Sequence, residues 1–301
     1  MKSNILFLLF LLLVLNSCGY DRDDNIPRVN DETQFVSEDG TVYNTGLTCT
    51  GTGDYFTDAQ NTLDDLVIPL VLPDQFDLSE FLPPVGNQQS QGSCASWATT
   101  YYMKSFQERV SATLPFDEAT VMSPAYTYNQ ITMGNCSGTT LEATLEILKN
   151  KGACSLTDFP YDFTTCASQP TAAIDALALP NRISGYKYLS GNNMVAEMKT
   201  LLTEQKPILI GAFLTSKFGR LDGLGLHAYR PHVVNYDNGG CHAMLVVGYS
   251  DEYNAFKVVN SWGPEWGDDG FVWIDYQAFE NVLNPNTTFR VINQAIVAYD
   301  L

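Results

Sequence analysis

Beyond residue 72 the chain carries two successive hydrophobic rhythms. Over residues 95–109, Trp97, Ala98, Tyr101, Tyr102, Met103 and Phe106 recur at three- and four-residue spacing, which predicts a buried helix starting directly after Cys94. Residues 140–151 place Leu141, Leu145 and Leu148 on one face, with Gly152 as a C-terminal stop. A third helix is predicted over 194–202. After Lys206 the rhythm shortens into β-type runs bounded by Gly, Asn and Asp, at 208–213, 243–249, 255–260, 271–276 and 291–299. Helices first and strands later predict an α+β fold, with a helical lobe beside an antiparallel β lobe and the site in the cleft between them. No internal repeat or sustained heptad interrupts this order.

The N-terminal portion reads differently. Lys2 precedes an apolar run from Ile5 to Leu15, too short to span a bilayer and of signal-sequence length, so residues 1–17 are predicted to be a signal peptide. The ending Leu15-Asn16-Ser17-Cys18 resembles a bacterial lipobox, which makes Cys18 the candidate lipidation site. An exported protein held at the cell envelope by that lipid, or otherwise secreted, is the expectation. Residues 18–71 are polar and acidic with weak apolar patches such as Leu66-Val67-Ile68, as in a tether or short pro-segment; the folded domain is expected over 72–301.

Charge and cysteine content narrow the chemistry. A net charge of -18 argues against nucleic acid as a partner, since gripping phosphates takes clustered Lys and Arg. Of seven cysteines, a lipidated Cys18 and a reactive Cys94 stay unpaired, so Cys49, Cys136, Cys154, Cys166 and Cys241 form at most two bridges in an exported protein. With no C-x-x-C pair and only His227, His232 and His242 as imidazoles, no metal or organic cofactor is expected.

Cys94 sits where the first helix begins, and a helix N-terminus favours a thiolate, the nucleophilic form of cysteine. The polar stretch 88–93 before it should turn the sulfur toward a cleft. A base must come from elsewhere in the chain. His227 and His232 lie in a Gly- and Pro-containing stretch that reads as a loop, whereas His242 opens the apolar run 243–248 and is held at a strand end. Asn260 ends the next run and can orient an imidazole through its side-chain oxygen. A turn at 250–254 brings the two strands side by side, and Trp262 and Trp266 are placed to shield a His242–Asn260 hydrogen bond.

Three segments together resemble the papain-like cysteine peptidases, bacterial branch: PPVGNQQSQGSCASWA at 83–98, GCHAMLVVGY at 240–249 and VVNSWGPEWGDDGF at 258–271. Their order matches that family, and the 148 positions from Cys94 to His242 fall within its usual span. The resemblance covers residues 72–301 and implies a nucleophile at Cys94, a general base and acid at His242, an imidazole orienter at Asn260 and an oxyanion-hole glutamine at Gln88. Gln91 is a competing glutamine, but that register would put Trp97 at the nucleophile position. Gly138, within 135–139, is the nearest match to the substrate-backbone glycine, and Trp262 and Trp266 are the other candidate substrate-binding residues. The sequence departs from the family pattern at Gln89 where Gly is usual, at Ala95 where a bulky residue is usual, and at Gln91 where a disulfide cysteine is usual. The 54 residues from Cys18 to Val71 are short for the family's inhibitory propeptide.

The implied activity is endopeptidase hydrolysis of polypeptides through a Cys94 thioester, by a monomer that meets a membrane only through its lipid. Two alternatives keep the same fold: a surface-anchored binding protein without turnover, and a thiol acyl-transferase or transpeptidase.

Overall fold

The computed structural model describes residues 33–37, 39–48, 61–112, 115–191, 193–214, 218, 228–229, 240–280 and 291–301. The signal-peptide and lipidation expectations, Cys18, Cys49, His227 and His232 lie outside these residues. No helix among them is long and apolar enough to cross a membrane.

Before the main domain, β1 (Gln34–Val36) and β2 (Val42–Asn44) form a small antiparallel pair. β3 (Gln75–Asp77) then joins the large sheet. The predicted long helix is one continuous helical rod in three pieces: α1 (Cys94–Ser96), a π-helical stretch (Trp97–Lys104) and α2 (Ser105–Ala112). It therefore starts at Cys94 itself. Hydrophobic spacing announces the rod but not its wider middle turns, because every residue from Trp97 to Lys104 is buried and no exposed face marks the winding.

α3 (Pro124–Thr132) was not predicted, since its Thr, Asn and Gln residues mask the helical rhythm; Pro124 at the first turn supports it. α4 (Leu141–Asn150) buries Leu141, Leu145 and Leu148, is capped by Thr140 Oγ1 accepting from the Ala143 amide at 3.1 Å, and stops at Gly152, whose φ is +82°. α5 (Ala172–Ala178) completes the helical lobe.

The second lobe is an eight-stranded sheet among the described residues. Its members are β4 (Ile183–Tyr188), β5 (Ile208–Leu214), β6 (Ala228–Tyr229), β7 (Gly240–Ser250), β8 (Ala255–Val259), β9 (Phe271–Asp275) and β10 (Ile292–Asp300), together with β3. The order is β4-β10-β5-β7-β8-β9-β6, with β3 also on β7; all pairings are antiparallel except β6 with β9. Helix α6 (Met194–Thr203) lies between β4 and β5 in sequence, and α7 (Gln277–Glu280) follows β9. β5 and β7 are buried along their whole lengths, which explains their unbroken apolar runs. The helical and sheet lobes make the α+β, two-lobed arrangement, and the rod starting at Cys94 packs its first turn against β7.

Candidate active site

Cys94, His242 and Asn260 come together where the lobes touch. Cys94 is the first residue of α1 and its sulfur accepts a hydrogen bond from the Ala243 amide of β7 at 3.4 Å. His242 precedes Ala243, and its Nε2 lies 2.7 Å from Asn260 Oδ1, just past the end of β8. The β7–β8 register, with Leu245 opposite Val259, makes that contact across 18 residues of chain. Asn260 Oδ1 also accepts from the Ser261 amide at 2.7 Å, which fixes the orientation of the carboxamide. An amide oxygen only accepts, so Nε2 carries the imidazole proton and Nδ1 presents a bare lone pair. Nδ1 is buried and has no hydrogen-bond partner.

Trp262 stacks on the imidazole with ring centres 4.8 Å apart, and Trp266 meets Trp262 edge-on at 5.2 Å. The helical rod is pinned to this corner by Tyr102. Its buried hydroxyl donates to the Asn260 carbonyl at 2.8 Å and accepts from the Gly86 amide at 3.0 Å.

Gln88 and Gln91, alternatives by sequence, differ in what their side chains hold, although Gln88 Nε2 also donates to the Gln91 carbonyl at 2.8 Å. The Gln88 carboxamide is held by Ser261 Oγ donating to its Oε1 at 2.7 Å, beside Asn260. The Gln91 amide turns away to donate to the Asp162 and Thr165 carbonyls at 2.8 and 2.9 Å. Gln89 adopts φ +54°, the left-handed conformation that favours glycine, with its amide held by Asn87 Oδ1 at 2.8 Å.

The sulfur was expected to face an open cleft, yet Cys94 and His242 are fully buried. Residues 43–48 lie across them. Gln88 Nε2 donates to the Thr45 carbonyl at 2.7 Å, and the Leu47 backbone is close enough to the Cys94 sulfur to favour its thiolate. Thr139 N donates to the Gly46 carbonyl at 2.7 Å, while Thr48 N donates to the Thr139 carbonyl at 2.9 Å. Trp262 Nε1 donates to the Asn44 carbonyl at 2.6 Å, and Tyr43 stacks on Trp262 at 4.4 Å. Gly138 borders this strap closely, since a Cβ there would stand 2.7 Å from the Gly46 oxygen. Trp266 packs its ring against Trp262 and Phe218.

The strap residues and Ser261 were not singled out in the sequence. A three-residue strand and a string of backbone contacts leave almost no side-chain signature.

The covering has an electrostatic consequence. Loss of water pushes the Cys94 thiol up to about 12, against the smaller opposing effect of backbone hydrogen bonds from Ala243, Ala95 and Leu47. The same desolvation lowers His242 to about 4, only partly offset by Asn260. The thiolate–imidazolium pair expected from a helix-start cysteine is thus disfavoured here, because burial penalises both charges.

Cys136 and Cys166 form a disulfide, Cys94 and Cys154 are free, and Cys241 is disulfide-bonded to a cysteine outside the described residues. The described residues contain no cluster of His, Cys, Asp and Glu that would hold a metal.

A helical lobe that presents a thiol at a helix start, set against a sheet lobe that presents an imidazole–carboxamide pair, is the architecture of the papain-like fold class. Xylellain, a cysteine protease from Xylella fastidiosa, superposes with a TM-score of 0.69 at 20% identity, over 85% of this chain and 96% of that one. A digestive procathepsin L 3 from Tenebrio molitor does so with a TM-score of 0.59 at 20% identity, over 78% and 72%. The profile of the papain family cysteine proteases matches residues 72–288, and the chain belongs to that family. Among its relatives, pro-cathepsin H of Bos taurus is 29% identical over 65% of this chain, and mexicain of Jacaratia mexicana 25% identical over 67%. The chain spans 56% of the length of the former and 88% of the latter.

Proposed function

We propose that this protein is a cysteine endopeptidase whose Cys94 sulfur attacks the scissile carbonyl carbon of a polypeptide. In this reading His242 Nδ1 takes the thiol proton and returns it to the leaving amine as the C–N bond breaks. Water, deprotonated by His242, then hydrolyses the thioester. The Gln88 amide and the Cys94 backbone N–H stabilise the oxyanion of both tetrahedral intermediates. The observation that carries the reading is the Asn260–His242 contact, which leaves Nδ1 as the basic nitrogen in the same buried corner as the Cys94 sulfur. The backbone at Thr139, next to Gly138, already pairs with an extended segment, as a site for peptides must.

The covered, neutral form is the resting state in this reading, and residues 33–48 act as a pro-segment. The charged pair forms once that segment leaves and water returns. The N-terminal sequence supports export, with a lipid on Cys18 as the membrane attachment.

The test compares wild type with Cys94→Ala and His242→Ala, before and after limited proteolysis, using an iodoacetamide probe and a fluorogenic peptide library. Labelling of Cys94 faster than a free thiol, with peptide cleavage lost in both variants, is expected. If no form of the wild type labels faster than a free thiol and none cleaves peptide, the reading is lost.

A further inference from the structure

The segment that feeds the strap into the main domain is unusual for a protein surface. Residues 64–71 carry no regular structure, and Val67, Leu70 and Val71 are 81%, 105% and 85% exposed. An exposed run without regular structure is where proteases nick folded proteins, and its apolar residues suit a protease such as thermolysin. Ahead of it, Leu63 N donates to the Tyr188 carbonyl and Tyr188 N to the Asn61 carbonyl, so the chain is clipped to β4 before it becomes exposed.

Cutting that run would ordinarily free whatever precedes it. Here the cysteine inventory says otherwise. Of the five described cysteines, Cys136 and Cys166 pair with each other, Cys94 and Cys154 are free, and Cys241 is bonded elsewhere. The two cysteines that remain in the chain, Cys18 and Cys49, both precede residue 61. Cys241 lies in β7, one residue before His242 and opposite Phe213 of β5. A lipidated Cys18 has its sulfur in a thioether, which leaves Cys49, the residue directly after Thr48 at the end of the strap. The strap already approaches this place, because a Cβ on Gly211 would stand 3.0 Å from Leu47 Cδ2 and 2.7 Å from Asn293 Oδ1, and Asn293 Nδ2 lies 3.9 Å from Cys241 Sγ.

We propose that the disulfide at Cys241, made with Cys49, is a latch that keeps the strap in the active-site cleft after the 64–71 run has been cut, so that activation takes both a proteolytic cut and a thiol reductant. The inference rests on the peptidase reading and names how that site is regulated. The chemistry balances with a dithiol as co-reactant: one thiolate attacks the Cys241–Cys49 bond, the second resolves the mixed disulfide, two cysteine thiols form and the dithiol becomes a cyclic disulfide. Without the bond, the strap is held only by non-covalent contacts, those of residues 43–48 and the hydrogen bonds of residues 61–63 to β4, and a cut strap diffuses away. With it, the strap stays at high effective concentration beside the cleft and rebinds.

The experiment nicks the full chain with thermolysin, quenches with a chelator, and follows two readouts. Non-reducing electrophoresis and disulfide mapping of the wild type report the bond; iodoacetamide labelling of the Cys94 peptide, after dithiothreitol treatment and desalting, reports the cleft. The nicked wild type should remain one covalent species joined through Cys49 and Cys241, and Cys94 should label at least tenfold more slowly than after reduction. Cys241→Ser should release the fragment, and label Cys94 quickly, without reductant. A fragment that separates from the nicked wild type without reductant, or a map joining Cys241 to Cys18, overturns the proposal. Fast Cys94 labelling with the fragment still attached overturns it as well. If the nicked Cys241→Ser protein labels quickly but cleaves no peptide, the peptidase reading fails while the latch stands.

Discussion

The amide of Gln88 donates 2.7 Å to the carbonyl of Thr45, so the donor proposed for the oxyanion is occupied by the protein's own chain. In the proposed reading one group serves two states. Gln88→Ala should loosen the strap, seen as faster Cys94 labelling of the intact protein. In the strap-free protein it should lower kcat about 10²-fold, as loss of one oxyanion donor does. Steady-state kinetics on the processed form check the second effect.

Gly46 should be the strap's most sensitive position. It has φ +113° and a Cβ there would stand 2.2 Å from the Gly92 carbonyl oxygen, so even alanine cannot be accommodated without displacing backbone. Gly46→Val is expected to expel the strap locally, raising Cys94 labelling at least tenfold while the melting temperature of the main domain changes little.

The two buried titratable groups of the site make the covered form pH-sensitive at both ends. His242 is lowered to about 4 by burial, so the unfolded chain binds its proton first and stability falls as pH drops from about 6.5 toward 4. Cys94 is raised to about 12, so the unfolded chain loses its proton first and stability falls as pH rises above about 9. Thermal melts across pH should show the acid limb flattened in His242→Gln and the alkaline limb flattened in Cys94→Ala, each relative to wild type.

Tyr102 ties the nucleophile's helix to the main chain of Asn260 and Gly86. Tyr102→Phe leaves a buried carbonyl and a buried amide without this partner, a loss of about 1–3 kcal/mol by chemical denaturation. In the strap-free enzyme kcat should fall more than KM rises, since the change displaces the imidazole orienter rather than the peptide-binding backbone.

Gln89 holds a left-handed conformation at φ +54°. Relief of roughly 1–2 kcal/mol of strain, set against the extra chain entropy glycine loses, makes Gln89→Gly stabilising by less than about 1 kcal/mol. A small upward shift in melting temperature with unchanged kcat is the expected result.

Much of the fold was legible because its elements are driven by local periodicity. The face of Leu141, Leu145 and Leu148 and the strand runs at β5, β7 and β8 follow directly from which residues must be buried. The missed α3 and β4 carry mixed polar residues, and their burial is decided by neighbours distant in sequence: Tyr126 donates to Asp175, and β4 pairs with β10 at the far end of the chain. The β7–β8 register was also readable, since a short turn between two apolar runs leaves few pairings, and it placed His242 beside Asn260.

The sequence alone determined the family-type segments and their order, the placement of Cys94 at a helix start and that of His242 beside Asn260, because strand ends and a helix start fix those positions locally. The Gln88 register was already favoured by the sequence; only the tertiary structure shows how the two side chains are held, Gln88 by Ser261 beside Asn260 and Gln91 by the Asp162 and Thr165 carbonyls. It also decided that the thiol is covered. The strap is held mostly by backbone hydrogen bonds, which any residue can make, so residues 43–48 carry no pattern that announces their place. Covering the site removes water from Cys94 and His242, and that desolvation sets their protonation; it depends on what packs above them, which no spacing along the chain encodes.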